Sequence, residues 1–311
     1  MNDPASFDPE RSAPPGELAQ LTPLVRRMLA GNASAMTYKG TNTYVVGHGE
    51  VSIIDPGPED PRHIEALLDA LNGERIAHIL VTHTHRDHSP GARLLSEATG
   101  IPIHGCALPE PARMATPAEW TRFQSVHDQG YAPALILKDG ECVQAGDHTL
   151  TVIATPGHTQ NHLTFALQEE SSLFSGDHVM GWSTTVIAPP DGNLKSYIAS
   201  LEKLRRRSDR LYWPAHGGPV TDPQRLLRGL LQHRNARESA ILNRLEAGDE
   251  DCATIVRNVY GNIGPALQGA ASLSVLAHLE ELVESGRIDT SGPGGLESRF
   301  FPKLLRKPPE N

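Results

Sequence analysis

The chain has 311 residues and a formal net charge of −9 with histidine counted as neutral. This acidic balance argues against a basic nucleic-acid scaffold, although it does not exclude a local basic groove. Three cysteines without a Cys-x-x-Cys pair argue against a disulfide framework, and no stretch resembles a signal peptide or a membrane span. We therefore expect a cytoplasmic protein with no membrane partner.

Strands and helices alternate in the first third of the chain. Residues 1–20 are polar and proline-rich and predict an extended arm, and 21–29 predict a strand or a short helix. Apolar and β-branched runs then predict strands, whereas a 3.6-residue periodicity predicts helices. In chain order these are strands in the second half of 38–47 and at 51–54, a helix at 61–72, a strand at 76–82, a helix at 91–98 and a strand at 101–103. This alternation favours a layered α/β fold.

The middle of the chain predicts mostly strands. Residues 107–133 are rich in proline and polar residues, so we expect a loop or short helices near the mouth of a site. The elements predicted after this segment are strands at 135–137, 149–154, 162–168 and 172–175, a helix at 193–206 and a strand at 211–213.

The pattern becomes helical after Pro223. Helices are predicted at 224–246, 252–260 and 270–285, followed by a hairpin around a glycine-rich turn. Three helices and a hairpin are typical of a winged helix. We therefore predict an N-terminal arm over 1–20, a catalytic domain over 21–222 and a winged-helix-like domain over 223–311.

A cluster of metal-type side chains directly follows the strand predicted at 76–82. His83, His85, Asp87 and His88 fall within six residues. Because side chains alternate along a strand, His83 and His85 can point the same way. The turn after them can fold Asp87 and His88 back toward a neighbouring point, so the cluster could serve two adjacent metal ions. The alternative is a polar loop that happens to be rich in histidine.

Three later motifs each end a predicted strand and add one metal-type residue. These residues are His158, Asp177 and His216. Imidazole and carboxylate groups suit zinc, manganese or iron. Seven such ligands are too many for one tetrahedral ion, but they suit two ions about 3.5–4 Å apart. We therefore expect two divalent metal ions, with zinc the first choice.

The order and spacing of these motifs over roughly residues 35–220 resemble the metallo-β-lactamase superfamily. The resemblance implies an αββα sandwich, in which two sheets lie between outer helices and the site lies at one edge. It also assigns the ligands. His83, His85 and His158 would hold one metal, Asp87, His88 and His216 would hold the second, and Asp177 would bridge them.

The C-terminal part extends the resemblance. The segment 233–238, together with the helices and hairpin, looks like the β-lactamase-like protein 2 subfamily, whose opening strand resembles 40–44. That subfamily includes single-strand RNA endonucleases and polyketide thioesterases. Two segments depart from the usual pattern, namely 160–162, where glyoxalase-II-like relatives usually have glycine at Asn161, and 89–91, which replaces a Gly-Gly pair. Both lie near the expected metals and could change substrate fit without removing a ligand.

These observations predict a hydrolase in which a metal-bound hydroxide attacks an ester, thioester or related carbonyl compound. Asp87 would orient the hydroxide or carry its proton. No Gly-x-Ser-x-Gly elbow offers a side-chain nucleophile instead. Asp55 is expected to make a hydrogen bond behind the ligands, while His162 and His178 could do the same or contact substrate.

Three alternatives stay open. The same metals could cut single-stranded RNA, the protein could be a nucleic-acid-binding regulator with a relict enzyme domain, or iron could support redox chemistry. A basic groove between the cleft and the winged helix would favour RNA, whereas an enclosed apolar pocket would favour the carbonyl substrate. The intact ligand set argues against a relict. The winged helix is expected to cover the site, bind substrate or mediate homodimerisation.

Overall fold

The larger sheet consists of seven strands in chain order. The computed structural model describes residues 13–261 and 263–303. The strands are β1 (Leu18–Gln20), β2 (Val25–Leu29), β3 (Asn42–Val46), β4 (Glu50–Ile54), β5 (Arg75–Val81), β6 (Ile103–Gly105) and β7 (Leu135–Ile136). Pairing is antiparallel from β1 to β4 and parallel from β4 to β7. The ends of β4 and β5 therefore meet at one edge of the sheet.

The smaller sheet has five strands in the order β12-β11-β10-β9-β8. These are β8 (Cys142–Ala145), β9 (His148–Ala154), β10 (Leu163–Leu167), β11 (Ser172–Gly176) and β12 (Leu211–Pro214). The β11–β12 pair is parallel and the others are antiparallel. The carboxyl ends of β11 and β12 therefore also share one edge.

Alternating side chains of the smaller sheet pack toward two different layers. Phe165 and Phe174 belong to the core shared with the larger sheet, whereas Ala166 and Leu173 pack with the outer helix residue Leu201. The helices are α1 (Pro61–Ala70), α2 (Pro90–Thr99), α3 (Pro117–Val126) and α4 (Leu194–Arg205). The predicted αββα sandwich is confirmed.

The C-terminal helices and hairpin form the predicted winged helix. They are α5 (Pro223–Glu246), α6 (Cys252–Tyr260), α7 (Pro265–Glu284), β13 (Ile288–Ser291) and β14 (Arg299–Pro302). Ile255, Leu276, Leu279, Ile288 and Phe300 belong to its own core. Across residues 13–261 and 263–303, no helix combines the length and apolarity needed to cross a bilayer. The predicted domain boundaries are not tested by these elements and remain a prediction.

Three elements differ from the sequence prediction. Leu18–Gln20 lies within the segment predicted as an extended arm, but it pairs with β2 as an edge strand. Cys142–Ala145 forms a strand where the sequence pattern predicts none. Both are too short for a clear alternating pattern. The helix predicted from residue 270 begins at Pro265, because proline is tolerated in the first turn of a helix even where it resembles a breaker. Residues 1–12 and 304–311 of the predicted outer segments lie outside the described residues.

One face of α7 packs against the catalytic domain, and we call it the docking face. It consists of Ala277, Glu280 and Glu284, spaced three or four residues apart. Ala277 packs in the cluster that contains α4 residues, Glu280 binds Arg113, and Glu284 binds Lys195 at 2.9 Å. The α7 helix therefore packs both in the winged-helix core and against the catalytic domain.

The Arg113 network is expected to stabilise this docking. Arg113 donates to Glu119 at 2.7 Å and to Glu280 at 3.0 Å. Burial would raise the pKa of Glu119, but hydrogen bonds from Arg113 and the Thr116 backbone lower it to about 2. The stabilising effect of the Glu119 carboxylate is therefore complete at neutral pH and falls as the pH drops from the unfolded-state value of 4.5 toward 2.

We expect Arg113→Gln to lower the free energy of unfolding by about 1–3 kcal/mol, because it leaves two partly buried carboxylates without their cation. Urea denaturation at neutral pH measures this. Arg93→Gln is the matched control, since Arg93 also pairs with two carboxylates, Glu59 and Glu97, at the exposed surface. It should cost under about 1 kcal/mol. Equal losses in the two variants would contradict a role in docking.

Candidate metal centre

The candidate residues converge where strands of both sheets end. His83, His85, Asp87 and His88 follow β5, and His158 follows β9. Asp177 and His216 follow the parallel strands β11 and β12. The structure thus brings together all seven residues singled out in the sequence.

The first group contains three imidazole nitrogens. His83 Nε2 and His158 Nε2 each lie 3.1 Å from His85 Nδ1. Asp177 Oδ2 lies 3.6 Å from His158 Nε2. Four ligands at 2.0–2.1 Å around a tetrahedral zinc would be separated by about 3.3–3.4 Å, so these separations fit one ion.

The second group contains two imidazoles and a carboxylate. His216 Nε2 lies 3.1 Å and His88 Nε2 3.4 Å from Asp87 Oδ2. Asp177 Oδ1 lies 3.4 Å from His216 Nε2 and 3.6 Å from His88 Nε2. Asp177 therefore turns a different oxygen toward each group, which is the arrangement of a bridging carboxylate.

Two buried polar atoms at the centre have no hydrogen-bond partner among the described residues. They are His88 Nε2 and Asp177 Oδ1, and both face the second group. An unpaired buried polar atom is costly unless a ligand satisfies it. A cation between these atoms would satisfy both, so the residues present fit a metal ion.

The five histidines of the two groups are each held by an oxygen on the opposite side of the ring. The contacts are His83 Nδ1 with Thr82 Oγ1 (3.0 Å), His85 Nε2 with Asp191 Oδ2 (2.9 Å), His158 Nδ1 with the Val186 carbonyl (2.8 Å), His88 Nδ1 with Asp55 Oδ2 (3.0 Å) and His216 Nδ1 with the Gly40 carbonyl (3.1 Å). Such contacts fix the tautomer and orientation of metal-binding histidines. All five histidines have such a contact, which favours a metal centre over a polar loop that happens to be rich in histidine.

The electrostatics of the first group favour the protonation states that bind cations. In the second group burial would lower the pKa of the two imidazoles, but the facing carboxylates outweigh it and raise that pKa, so a bound cation would displace protons there. Burial and the neighbouring imidazoles lower the pKa of His83, and burial with His85 lowers that of His158 to about 4. Burial would raise the pKa of Asp177, but the facing His216 and His88 outweigh it and hold that pKa below its usual range. Neutral imidazoles and an ionised carboxylate are the forms that ligate metals.

Asp55 supports both groups from behind, as its place in a turn predicted. Its Oδ1 accepts from the Thr82 backbone at 2.8 Å, and its Oδ2 accepts from Thr82 Oγ1 at 2.7 Å. The same Oδ2 binds His88, while Thr82 binds His83. One buried carboxylate therefore orients a histidine of each group.

The sequence pattern does not identify two residues that lie near the centre. Asp191 binds His85, and His127 Nε2 lies 3.2 Å from the same Asp191 oxygen. Thr84 Oγ1 binds His127 Nδ1 at 2.7 Å and accepts from Asn161, one of the positions that depart from the usual pattern. No strand-end motif marks Asp191 or His127, and only the fold reveals their proximity to His85.

Of the two histidines left open in the sequence, His162 contacts the centre and His178 does not. His162 Nε2 accepts from the Asp177 backbone N–H at 3.1 Å, so it holds the bridging carboxylate in place. Asn42 donates to the carbonyls of Pro214 and Gly217, which flank His216. His178 is buried beside Tyr197, its ring centroid 4.7 Å away, and it does not reach the two groups.

A largely apolar cavity of about 460 Å³ opens onto the centre. His85, Asp87, His158 and Asp177 form its polar end. Its apolar lining includes Met36, Phe123, Val126, Val186, Ala270 and Leu273. Cavities of this size and character hold small organic ligands.

Family models match both parts of the chain. The model of the metallo-beta-lactamase superfamily matches residues 36–216, and that of the beta-lactamase associated winged helix domain matches 252–294. The chain is 33% identical over 286 residues to the beta-lactamase-like protein 2 homolog of Drosophila melanogaster, covering 88% of this chain and 92% of that protein.

Two further comparisons agree. The chain is 30% identical over 300 residues to an atrochrysone carboxyl ACP thioesterase of Aspergillus fumigatus, covering 93% of this chain and 81% of that protein. It superimposes with a TM-score of 0.74 on a metallo-beta-lactamase family protein from Thermus thermophilus, at 25% identity, covering 91% and 100% of the two chains. The predicted resemblance is confirmed, and the chain belongs to the metallo-beta-lactamase superfamily as a hydrolase with a beta-lactamase-associated winged helix.

Proposed function

We propose that the protein is a dinuclear metal-dependent hydrolase of ester, thioester or related carbonyl substrates. The observation that carries this proposal is Asp177, which turns one oxygen toward His158 and the other toward His88 and His216. His83, His85 and His158 would hold one ion, and Asp87, His88 and His216 the other. Zinc is the first choice, and the same donors accept iron or manganese.

Two such ions, when bound, act as a Lewis acid and lower the pKa of water to about 7. The residues around them provide orientation and proton transfer. Asp87 lines the cavity with a partly exposed carboxylate, which can accept a proton from the attacking water. His85 and His158 also line the cavity, and their rings are held by Asp191 and the Val186 carbonyl.

The cavity favours an apolar carbonyl substrate over RNA. Among the described residues that line it, Arg86 and Arg122 are the basic ones, and Arg122 already donates to the Pro189 carbonyl at 2.6 Å. A site for single-stranded nucleic acid would need a longer basic groove and stacking platforms. The names of related thioesterases make a thioester the first substrate to test. Single-stranded RNA remains the alternative.

The test combines metal analysis with a substrate screen. We expect purified protein to contain close to two divalent ions per chain, measured by elemental analysis. It should hydrolyse acyl thioesters faster than single-stranded RNA, and chelation should stop turnover until metal is restored. A rate that is insensitive to chelation would contradict the metal-dependent mechanism, and faster cleavage of RNA would favour the alternative. Homodimerisation also remains a prediction, which light scattering can test.

A further inference from the structure

The first half of α7 forms one wall of the cavity above the metal centre. Ala270 and Leu273 line this cavity although they belong to the winged helix. They lie three residues apart, so they are on one side of the helix. The docking face begins about one turn later on this side, at Ala277. The cavity is therefore complete only when the winged helix is docked.

Another part of the cavity wall comes from α3 of the catalytic domain. Phe123 and Val126 line the cavity there, and the Phe123 ring stacks on Trp120 with centroids 5.4 Å apart. Thr116 and Glu119 form a capping box that fixes the start of this helix. Two apolar helix faces thus border the space next to the catalytic carboxylates.

We infer that Leu273 and Ala270 select the acyl group of the substrate, which is a medium-chain or aromatic apolar acyl group. This inference rests on the proposed function and assigns the carbonyl to the metal end and the acyl group to the helical end. Arg86 lies beside Asp87 at the polar end, and within the described ranges the polar residues that α3 and α7 contribute to the cavity are Arg122 and Ser125. The Ser125 hydroxyl donates to the Arg122 carbonyl at 2.7 Å, and the other lining residues of the two helices are apolar. Arg122 donates one N–H to the Pro189 carbonyl and keeps its charge, so the acyl group is assigned to the apolar wall of Phe123, Val126, Ala270 and Leu273, where a charged chain would lose hydration.

Leu273 can be changed without removing a core residue. It is half-buried and lies outside the winged-helix core, whereas the buried α7 residues of that core are Ala271, Val275, Leu276, Leu279 and Leu282. A substitution at Leu273 therefore changes mainly the shape of the cavity. Leu296 is the matched control, because it is a partly exposed leucine of the same domain that does not line the cavity.

The experiment compares octanoyl and acetyl thioesters of N-acetylcysteamine. We expect the wild type to favour octanoyl by at least about 100-fold in kcat/KM, because each buried methylene contributes about fourfold and burial of three or four of the six additional methylenes gives this ratio. Leu273→Trp should fill the cavity and lower kcat/KM for octanoyl by about 30-fold, with less than about threefold change for acetyl. Leu273→Ala should reduce the preference for octanoyl by about fivefold, mainly through KM. Leu296→Trp and Leu296→Ala should leave the preference unchanged.

Binding of the S-octyl thioether of N-acetylcysteamine, measured by calorimetry, separates this inference from the proposed function. This probe cannot be hydrolysed, so Leu273→Trp should weaken its binding about 10-fold or more whether or not the thioester is turned over. Failure of the wild type to hydrolyse either thioester would count against the proposed function alone. Equal selectivity and equal thioether binding in the Leu273 and Leu296 variants would overturn the role of α7.

Discussion

Asp177→Ala is expected to lower kcat/KM by about 1000-fold or more and to reduce bound metal from two ions to fewer than one per chain. Within residues 13–261 and 263–303, Asp177 is the side chain whose two oxygens face both groups, Oδ2 toward His158 and Oδ1 toward His216. Its loss removes a ligand from each ion and the negative charge between them. A loss of several kcal/mol of transition-state stabilisation corresponds to a rate change of this size.

The measurement pairs steady-state kinetics with elemental analysis of the same preparation. Asp209→Ala is the control, because Asp209 is a buried aspartate paired with Arg207 away from the centre. It should retain two ions even if it lowers stability. Asp177→Asn keeps the size and offers one neutral oxygen, so we expect it to retain one ion. Normal metal content in Asp177→Ala would contradict the bridging role.

The sequence predicts where the candidate ligands converge because each follows the end of a strand. His83 and Asp177 are examples, since the preceding apolar runs identify their strands. Parallel pairing places the end of β5 beside that of β4 and the end of β11 beside that of β12. The positioning residues are harder to predict. Asp191 is 106 positions from His85, and nothing between them indicates that the loop after Pro190 returns to the centre. A long-range contact of this kind depends on packing, which local periodicity does not encode.

The same limit applies to the cavity. The periodicity of α7 predicts a helix, but Leu273 and Leu276 look alike in the sequence. Only the docking of α7 on the catalytic domain separates a cavity residue from a core residue. The winged helix was predicted to cover the site, bind substrate or mediate dimerisation. The structure places it over the site, and the substrate-binding role remains a proposal.

Asp55→Asn is expected to weaken binding of both ions by about 10–100-fold, although Asp55 lies behind the histidines. Asp55 accepts three contacts, from the Thr82 backbone, Thr82 Oγ1 and His88 Nδ1. An asparagine amide must turn its NH₂ group toward one of these donors in either orientation. If the NH₂ group replaces Oδ2, His88 loses its support directly and His83 loses it through Thr82. If it replaces Oδ1, it faces the Thr82 backbone N–H and displaces the residue that holds His83.

Asp191→Asn provides the contrast for that prediction. Its Oδ2 faces His85 and His127, while its Oδ1 has no hydrogen-bond partner among the described residues. An asparagine can therefore keep its oxygen toward the histidines and turn its NH₂ group away from them. We expect less than about a 10-fold loss of metal affinity, limited to the ion held by His85.

Competition with a chelating indicator measures both affinities in each variant. If the two variants lost affinity equally, the charge of the outer carboxylates would matter more than the number of contacts they accept. A selective defect in Asp55→Asn would instead show that one buried carboxylate couples the two metal sites.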